Sequence, residues 1–199
     1  MNILILSGFL GSGKTTALYS LAHYIVDHTE SDSPMKVVIL ENEVGKNGID
    51  DKFLKSGGLQ VENLFSGCAC CSVSGELIST VTKIQKKCEP EWIVLETTGI
   101  AYPKKIQQNL KQYLDMESRI AVLVDAVRWD RMLIPLNSLL SGQIIGSDAV
   151  LVNKTDLVDE GKIQRVESDI RKFDKQPSIF RISAISGIDD AVWREVLGF

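Results

Sequence analysis

Several things are missing from this 199-residue sequence, and each absence removes a class of function. No apolar run approaches the roughly 18 residues that suggest a membrane-spanning helix. There is no dense Lys/Arg block, and the formal charge is −4, so neither a nucleic acid nor an anionic membrane surface is expected as the main partner. The apolar start "MNILILSGFL" has no basic leader and no small-residue cleavage site, so it reads as a core strand and not as a signal peptide. The four cysteines do not form a secreted disulfide framework, because three of them sit together in "CACC". A soluble, cytoplasmic protein with a reduced thiol cluster is the expectation.

What is present is an alternation. Apolar runs bounded by turn signals predict strands near 2–7, 36–41, 92–97, 119–125, 148–153 and 178–182. Helical spacing predicts helices near 14–28, 74–88, 103–114, 128–140, 159–174 and 188–197. Runs such as "ILIL", "VVIL" and "AVLV" suit strands buried on both faces, which predicts an α/β domain with a mostly parallel central sheet and helices on both faces. The 44% hydrophobic content is enough for one core, so residues 1–199 are expected to form a single domain. The long connection at about 42–73 breaks the alternation, with a short strand at "LQVENLF", and connections of that length tend to be functional.

"GFLGSGKTT" at 8–16 follows the first strand and opens the first helix, and Gly8, Gly11, Gly13, Lys14 and Thr15 fit the phosphate-loop pattern of P-loop NTPases. Glycines let successive N–H groups converge, and the helix N-terminus adds about half a positive charge. Lys14 is expected to reach the β- and γ-phosphates and Thr15 to ligate Mg²⁺. In "ETTG", Glu96 ends an apolar strand and is expected to hold the Mg²⁺ through water, while Gly99 presents its N–H to the γ-phosphate. "VLVNKTDLV" names the base: Asp156 can accept two hydrogen bonds from guanine that adenine cannot offer, with Asn153 beside it and the stem of Lys154 covering one face. "ISAISG" is expected to bring backbone N–H groups, at Ser183 and Ala184, to the guanine carbonyl.

"GCACC" places Cys68, Cys70 and Cys71 in the long connection, and thiolates suit Zn²⁺ or another late transition metal such as Co²⁺ or Ni²⁺. The fourth ligand is open among Glu43, Glu62, a partner chain and water. Cys88, His23, His28, Trp92, Trp129 and Trp193 read as packing or solvated residues.

Taken in order, "GFLGSGKTT", "ENEVGKNGID", "GCACC", "ETTG" with Pro103 after it, "VDA" at 124–126, "NKTD" and the "SA" at 183–184 resemble the CobW-like GTPases of the CobW/HypB/UreG group. The resemblance covers nearly the whole sequence, and the cysteine motif sets it apart from GTPases in general. It implies phosphate binding by Gly8 to Thr16, with Ser12 and Thr16 included, a first switch near 42–50, a second at 96–99, a metal site at the three cysteines, and GTP hydrolysis that times metal or metallocofactor delivery to a client protein. It departs at Val44, where an aromatic residue is usual, and at Lys46, where an acidic one is, so metal identity stays open. Members often continue into a further C-terminal domain and sometimes a His-rich stretch, whereas this sequence stops just after its last expected helix, so client recognition is expected to reside elsewhere. With no water-orienting glutamine or arginine finger to assign, hydrolysis is expected to be slow, and a GTP-dependent homodimer or a client can complete the site. The alternative is a GTP-dependent switch that protects a cofactor-dependent enzyme, such as a corrinoid enzyme, with no metal cargo.

Overall fold

A computed structural model describes residues 1–28, 36–41, 59–63 and 73–199, with backbone alone at 59–63, 73 and 74. Seven strands line up in one sheet, and every described pairing is parallel. They are β1 (Asn2–Gly8), β2 (Val37–Glu41), β3 (Leu59–Asn63), β4 (Trp92–Glu96), β5 (Arg119–Asp125), β6 (Ala149–Asn153) and β7 (Ser178–Arg181), in spatial order β3-β2-β4-β1-β5-β6-β7. The short strand expected within the long connection is β3, added at the sheet edge beside β2. The other edge strand, β7, has no fully buried residue, as its position predicts.

The continuous apolar strands are explained by helices on both faces. Ile3 and Ile5 of β1 point into one core, and Leu4 and Leu6 into the other, by the two-residue period of a strand. The first core is closed by α2 (Val73–Cys88), α3 (Pro103–Leu114), α4 (Trp129–Leu133), α5 (Asn137–Ile144) and α6 (Glu160–Phe173). The second is closed by α1 (Lys14–His28) and α7 (Asp190–Leu197). All three tryptophans are buried, and Trp129 and Trp193 donate their ring N–H to Asp169 and Ser20.

Local sequence sets the helix ends. Asp159 and Asp189 cap α6 and α7 by accepting from the N–H groups of Lys162 and Ala191, each at 2.8 Å. Pro103 opens α3, where its missing N–H is harmless. The single helix expected at 128–140 is instead two, α4 and α5. Pro135 lies between them and cannot donate to the carbonyl of Arg131. Among the described residues no helix is long and apolar enough to cross a membrane.

Candidate functional site

The sheet presents the C-terminal ends of β1, β2, β4, β5 and β6 side by side, the edge at which open α/β sheets bind ligands. Between β1 and α1 runs the Gly-rich loop. Gly8 ends β1 opposite Leu123, and Lys14, which is buried, begins α1. Gly13 has φ +99°, and a Cβ there would lie 2.3 Å from Asn153 Nδ2, so no other residue fits. The loop's carbonyls are held from outside: Arg128 Nη2 donates to Leu10 O at 2.6 Å, Lys154 Nζ to Gly11 O at 2.9 Å and Asn153 Nδ2 to Ser12 O at 2.7 Å. The Ser12 hydroxyl is buried and has no hydrogen-bond partner among the described residues.

Immediately beyond the loop, Thr15 Oγ1 donates to Glu96 Oε1 at 3.2 Å. Glu96 ends β4, only 4% exposed, with Leu6 of β1 and Glu41 of β2 opposite it in the ladders. Glu41 is also buried. The donor set here is all oxygen, which suits a hard cation such as Mg²⁺. Gly99 lies against the Gly-rich loop: a Cβ on it would come within 2.7 Å of Leu10 N. Its carbonyl, with that of Ala101, accepts from the buried Gln143, at 3.0 and 3.2 Å.

On the other side of the loop is a pocket of about 260 Å³, lined by Gly13, Thr16, Lys154, Asp156, Ser183 and Ala184 among others. Asn153 builds it. Its Oδ1 accepts from the N–H groups of Lys154 and Ala184, at 2.8 and 2.9 Å, so one side chain fixes both the "NKTD" and the "SA" segments. Thr155 ties the same two segments together, its hydroxyl donating to Ile182 O at 2.9 Å. Asp156 is exposed, its carboxylate free to meet a ligand. The structure thus gathers Gly13, Lys14, Thr15, Thr16, Glu96, Gly99, Asn153, Lys154, Asp156, Ser183 and Ala184 along one continuous edge. Cys68, Cys70, Cys71 and Glu43 lie outside the described residues, as do Val44 and Lys46. Among the described residues no group of three or more His, Cys, Asp or Glu side chains could hold a metal ion.

Two residues given no role by sequence reasoning stand at the centre of this edge. Asp125 ends β5 opposite Asn153, and its side chain is fully buried. Its carboxylate takes Lys154 Nζ and Arg128 Nε, both at 2.7 Å on Oδ2, and the N–H groups of Val127 and Arg128 on Oδ1. Burial alone would push its pKa up, but the hydrogen bonds from Lys154 and Arg128 outweigh burial and hold it below the usual carboxylate value. An acidic residue ending an apolar strand is a readable signal for Asp125. Nothing in "VRWD" points Arg128 at a loop 118 positions earlier.

A family model described as the CobW/HypB/UreG nucleotide-binding domain matches residues 2–181. The zinc-regulated GTPase metalloprotein activator 1 of Schizosaccharomyces pombe is 32% identical over 183 residues, covering 85% of this chain and 43% of that protein. The zinc chaperone YjiA of Escherichia coli is 26% identical over 191 residues, covering 91% of this chain and 57% of that protein. The chain therefore spans about half the length of these curated relatives. The crystal structure of zinc-bound YjiA GTPase superimposes with a TM-score of 0.68 at 21% identity, covering 100% of this chain and 62% of that one. Hydrogenase maturation factor HypB of Archaeoglobus fulgidus gives 0.67 at 17%, covering 100% and 91%. These superpositions establish the fold.

Proposed function

The chain belongs to the CobW/HypB/UreG nucleotide-binding family, and on that premise we propose that it is a GTPase of metal-centre assembly, one domain over residues 1–199, with its cargo metal on Cys68, Cys70 and Cys71. The observation that carries the reading is Asn153, which bonds the Gly-rich loop with one end of its amide and builds the neighbouring pocket with the other. A phosphate site and a base site sharing one side chain are what a nucleoside triphosphate requires.

The chemistry follows from the residues. Loop N–H groups, the positive end of α1 and the Lys14 ammonium would receive the phosphates. Asp156 would accept from guanine N1–H and the 2-amino group. At about 1.5–3 kcal/mol for each bond to a charged group, two bonds give a preference over adenine of roughly 10²–10⁴. Thr15 and Glu96 would hold Mg²⁺, whose charge offsets that developing between the β- and γ-phosphates. Gly99, packed on Leu10, would offer its N–H to the γ-phosphate. Gln143 Nε2 is committed to the carbonyls of Gly99 and Ala101, and with no glutamine or arginine assigned to orient water or stabilise the transition state, turnover is expected at about 10⁻⁴ to 10⁻² s⁻¹ until a partner contributes. Leu10 and Ile100, 62% and 60% exposed beside that site, support a homodimer or client docking there.

Coupling to cargo has a route. β2 ends at Glu41, in register with Glu96, and the segment carrying Glu43 and the cysteines continues from that point. γ-Phosphate contacts that order 42–50 would reposition the thiolates, with differential binding of about 5- to 150-fold. Zinc is the leading cargo because the relatives named above are a zinc-regulated activator and a zinc chaperone. Co²⁺ and Ni²⁺ are the other candidates. The test is an anaerobic titration with Zn²⁺, Co²⁺ and Ni²⁺, with and without a non-hydrolysable GTP analogue, while mass in solution is followed. Stoichiometric metal whose affinity depends on nucleotide supports the reading. Guanine binding without metal overturns the cargo role and leaves a regulatory switch acting on a cofactor-dependent enzyme.

A further inference from the structure

Three consecutive carbonyls of the Gly-rich loop, those of Leu10, Gly11 and Ser12, each accept a hydrogen bond from a side chain at the end of β5 or β6. Two of the donors, Lys154 and Asn153, belong to the "NKTD" motif. The third, Arg128, does not belong to any motif read in the sequence. We propose that Arg128 is a positioning residue for the phosphates of the bound nucleotide, completing a three-point clasp that keeps the Gly11 and Gly13 N–H groups turned toward them. The inference rests on the GTPase reading and adds to it.

The argument is one of peptide geometry. In a planar trans peptide the carbonyl of one residue and the N–H of the next point in opposite directions. Holding Leu10 O outward therefore turns the Gly11 N–H inward. The same holds for Ser12 O with the Gly13 N–H, whereas the Ser12 N–H between them is taken by Phe9 O at 3.1 Å. Gly11 has φ +74° and wide conformational freedom, so without Arg128 the peptide that precedes it can rotate and lose its aim.

Arg128 is itself held. Its Nε bonds Asp125 Oδ2, its own backbone N–H bonds Asp125 Oδ1 at 3.2 Å, and its Nη2 bonds Leu10 O. The guanidinium makes those bonds to carboxylate and carbonyl from two nitrogens held a fixed distance apart in one planar fork, a span that a single ammonium nitrogen at position 128 does not reproduce. Asp125 also holds Lys154, so one buried carboxylate anchors two of the three clasp residues. The remaining amine, Nη1, makes no hydrogen bond among the described residues and lies beside Gly11, since a Cβ built there would be 3.3 Å from it. A positive charge is thereby fixed against the outer side of the loop.

The test compares the wild-type chain with Arg128→Ala and Arg128→Lys, using a fluorescent GDP analogue for dissociation kinetics and guanosine as a competitor without phosphates. Arg128→Ala is expected to release the GDP analogue about tenfold faster, the loss of one hydrogen bond to a charged group, with Arg128→Lys in between. Guanosine affinity is expected to stay within about twofold, because base contacts are untouched, whereas general damage to the fold would weaken guanosine equally. Unchanged GDP release in Arg128→Ala, or equal loss of guanosine, overturns the proposal while the GTPase reading stands. A wild-type chain that binds no guanine nucleotide removes both.

Discussion

Asn153 Nδ2 donates to the carbonyl of Ser12 at 2.7 Å, joining the end of β6 to the turn that opens α1, 141 positions apart in the chain. Both residues are at most 2% exposed, so the bond is made in a site that water does not reach. Its Oδ1 is equally committed, to the N–H groups of Lys154 and Ala184. The amide can therefore take only one orientation, and every group around it is positioned relative to the Gly-rich loop.

That relationship makes Gly13 the most constrained position of the loop. In Gly13→Ala the new methyl would meet Asn153 Nδ2 and the backbone would be held at φ +99°. Backbone strain of this kind costs about 1–3 kcal/mol. Loss of the Asn153 contact comes on top of it. Thermal unfolding is expected to shift down accordingly, and isothermal titration with GTP is expected to show no binding. A variant that keeps wild-type affinity would mean that Asn153 does not organise the site.

Asp156 tests the base assignment separately, since its carboxylate is exposed in the 260 Å³ pocket. Asp156→Asn replaces an acceptor pair by one acceptor and one donor. GTP affinity is expected to fall about 10²-fold or more, while xanthosine triphosphate, whose 2-oxo group accepts a hydrogen bond, gains. Competition between the two nucleotides measures the exchange directly, and an unchanged preference for guanine would move the base elsewhere.

How much of this could be read in advance depends on how local the cause is. β1, β4, β5 and β6 were legible because strands buried on both faces must be apolar throughout, and the loop and "NKTD" because backbone conformation and base chemistry restrict residue type at fixed spacing. The break between α4 and α5 was also local, written in Pro135, but the helical spacing on either side of it masks it. The clasp was not legible. Arg128 and Leu10 meet only because β5 lies beside β1 in the sheet, a consequence of strand order that no short window contains. Glu41 escaped for the same reason: its place opposite Glu96 is a matter of register between β2 and β4.

The anchor of the clasp is also a pH-dependent element. The folded protein holds the Asp125 carboxyl below its ordinary value of 3.8, so its contribution to stability is fully present above that value and fades as pH falls through the lower, folded one. Asp125→Asn is expected to lower the melting temperature at pH 7. The gap should narrow as pH falls from that ordinary value through the lower, folded one, where the wild-type carboxylate takes up its proton. Asp169 and Asp174 are held low as well, so acid sensitivity persists in the variant and the difference between the two curves is the readout. A constant gap across that range would show that Asp125 is not the group titrating.

The cargo reading separates most sharply from the switch reading at the cysteines. Thiolates of Cys68, Cys70 and Cys71 bind Zn²⁺ through bonds that serine cannot replace, so changing all three to Ser is expected to abolish a stoichiometric zinc content measured by elemental analysis. The nucleotide groups proposed above, from Gly13 to Thr16, at Glu96 and Gly99, and from Asn153 to Ala184, lie outside positions 68–71, so GTP affinity in buffer free of transition metal is expected to remain within about twofold. In the intact chain a non-hydrolysable GTP analogue is expected to change zinc affinity by about 5- to 150-fold relative to GDP, measured against a chelating dye. Linkage requires zinc to change the GTP–GDP preference by the same factor, which gives a second, independent measurement of one quantity. Zinc bound equally in both nucleotide states would leave the metal as a structural element, and zinc retained by the triple serine variant would place it on other residues.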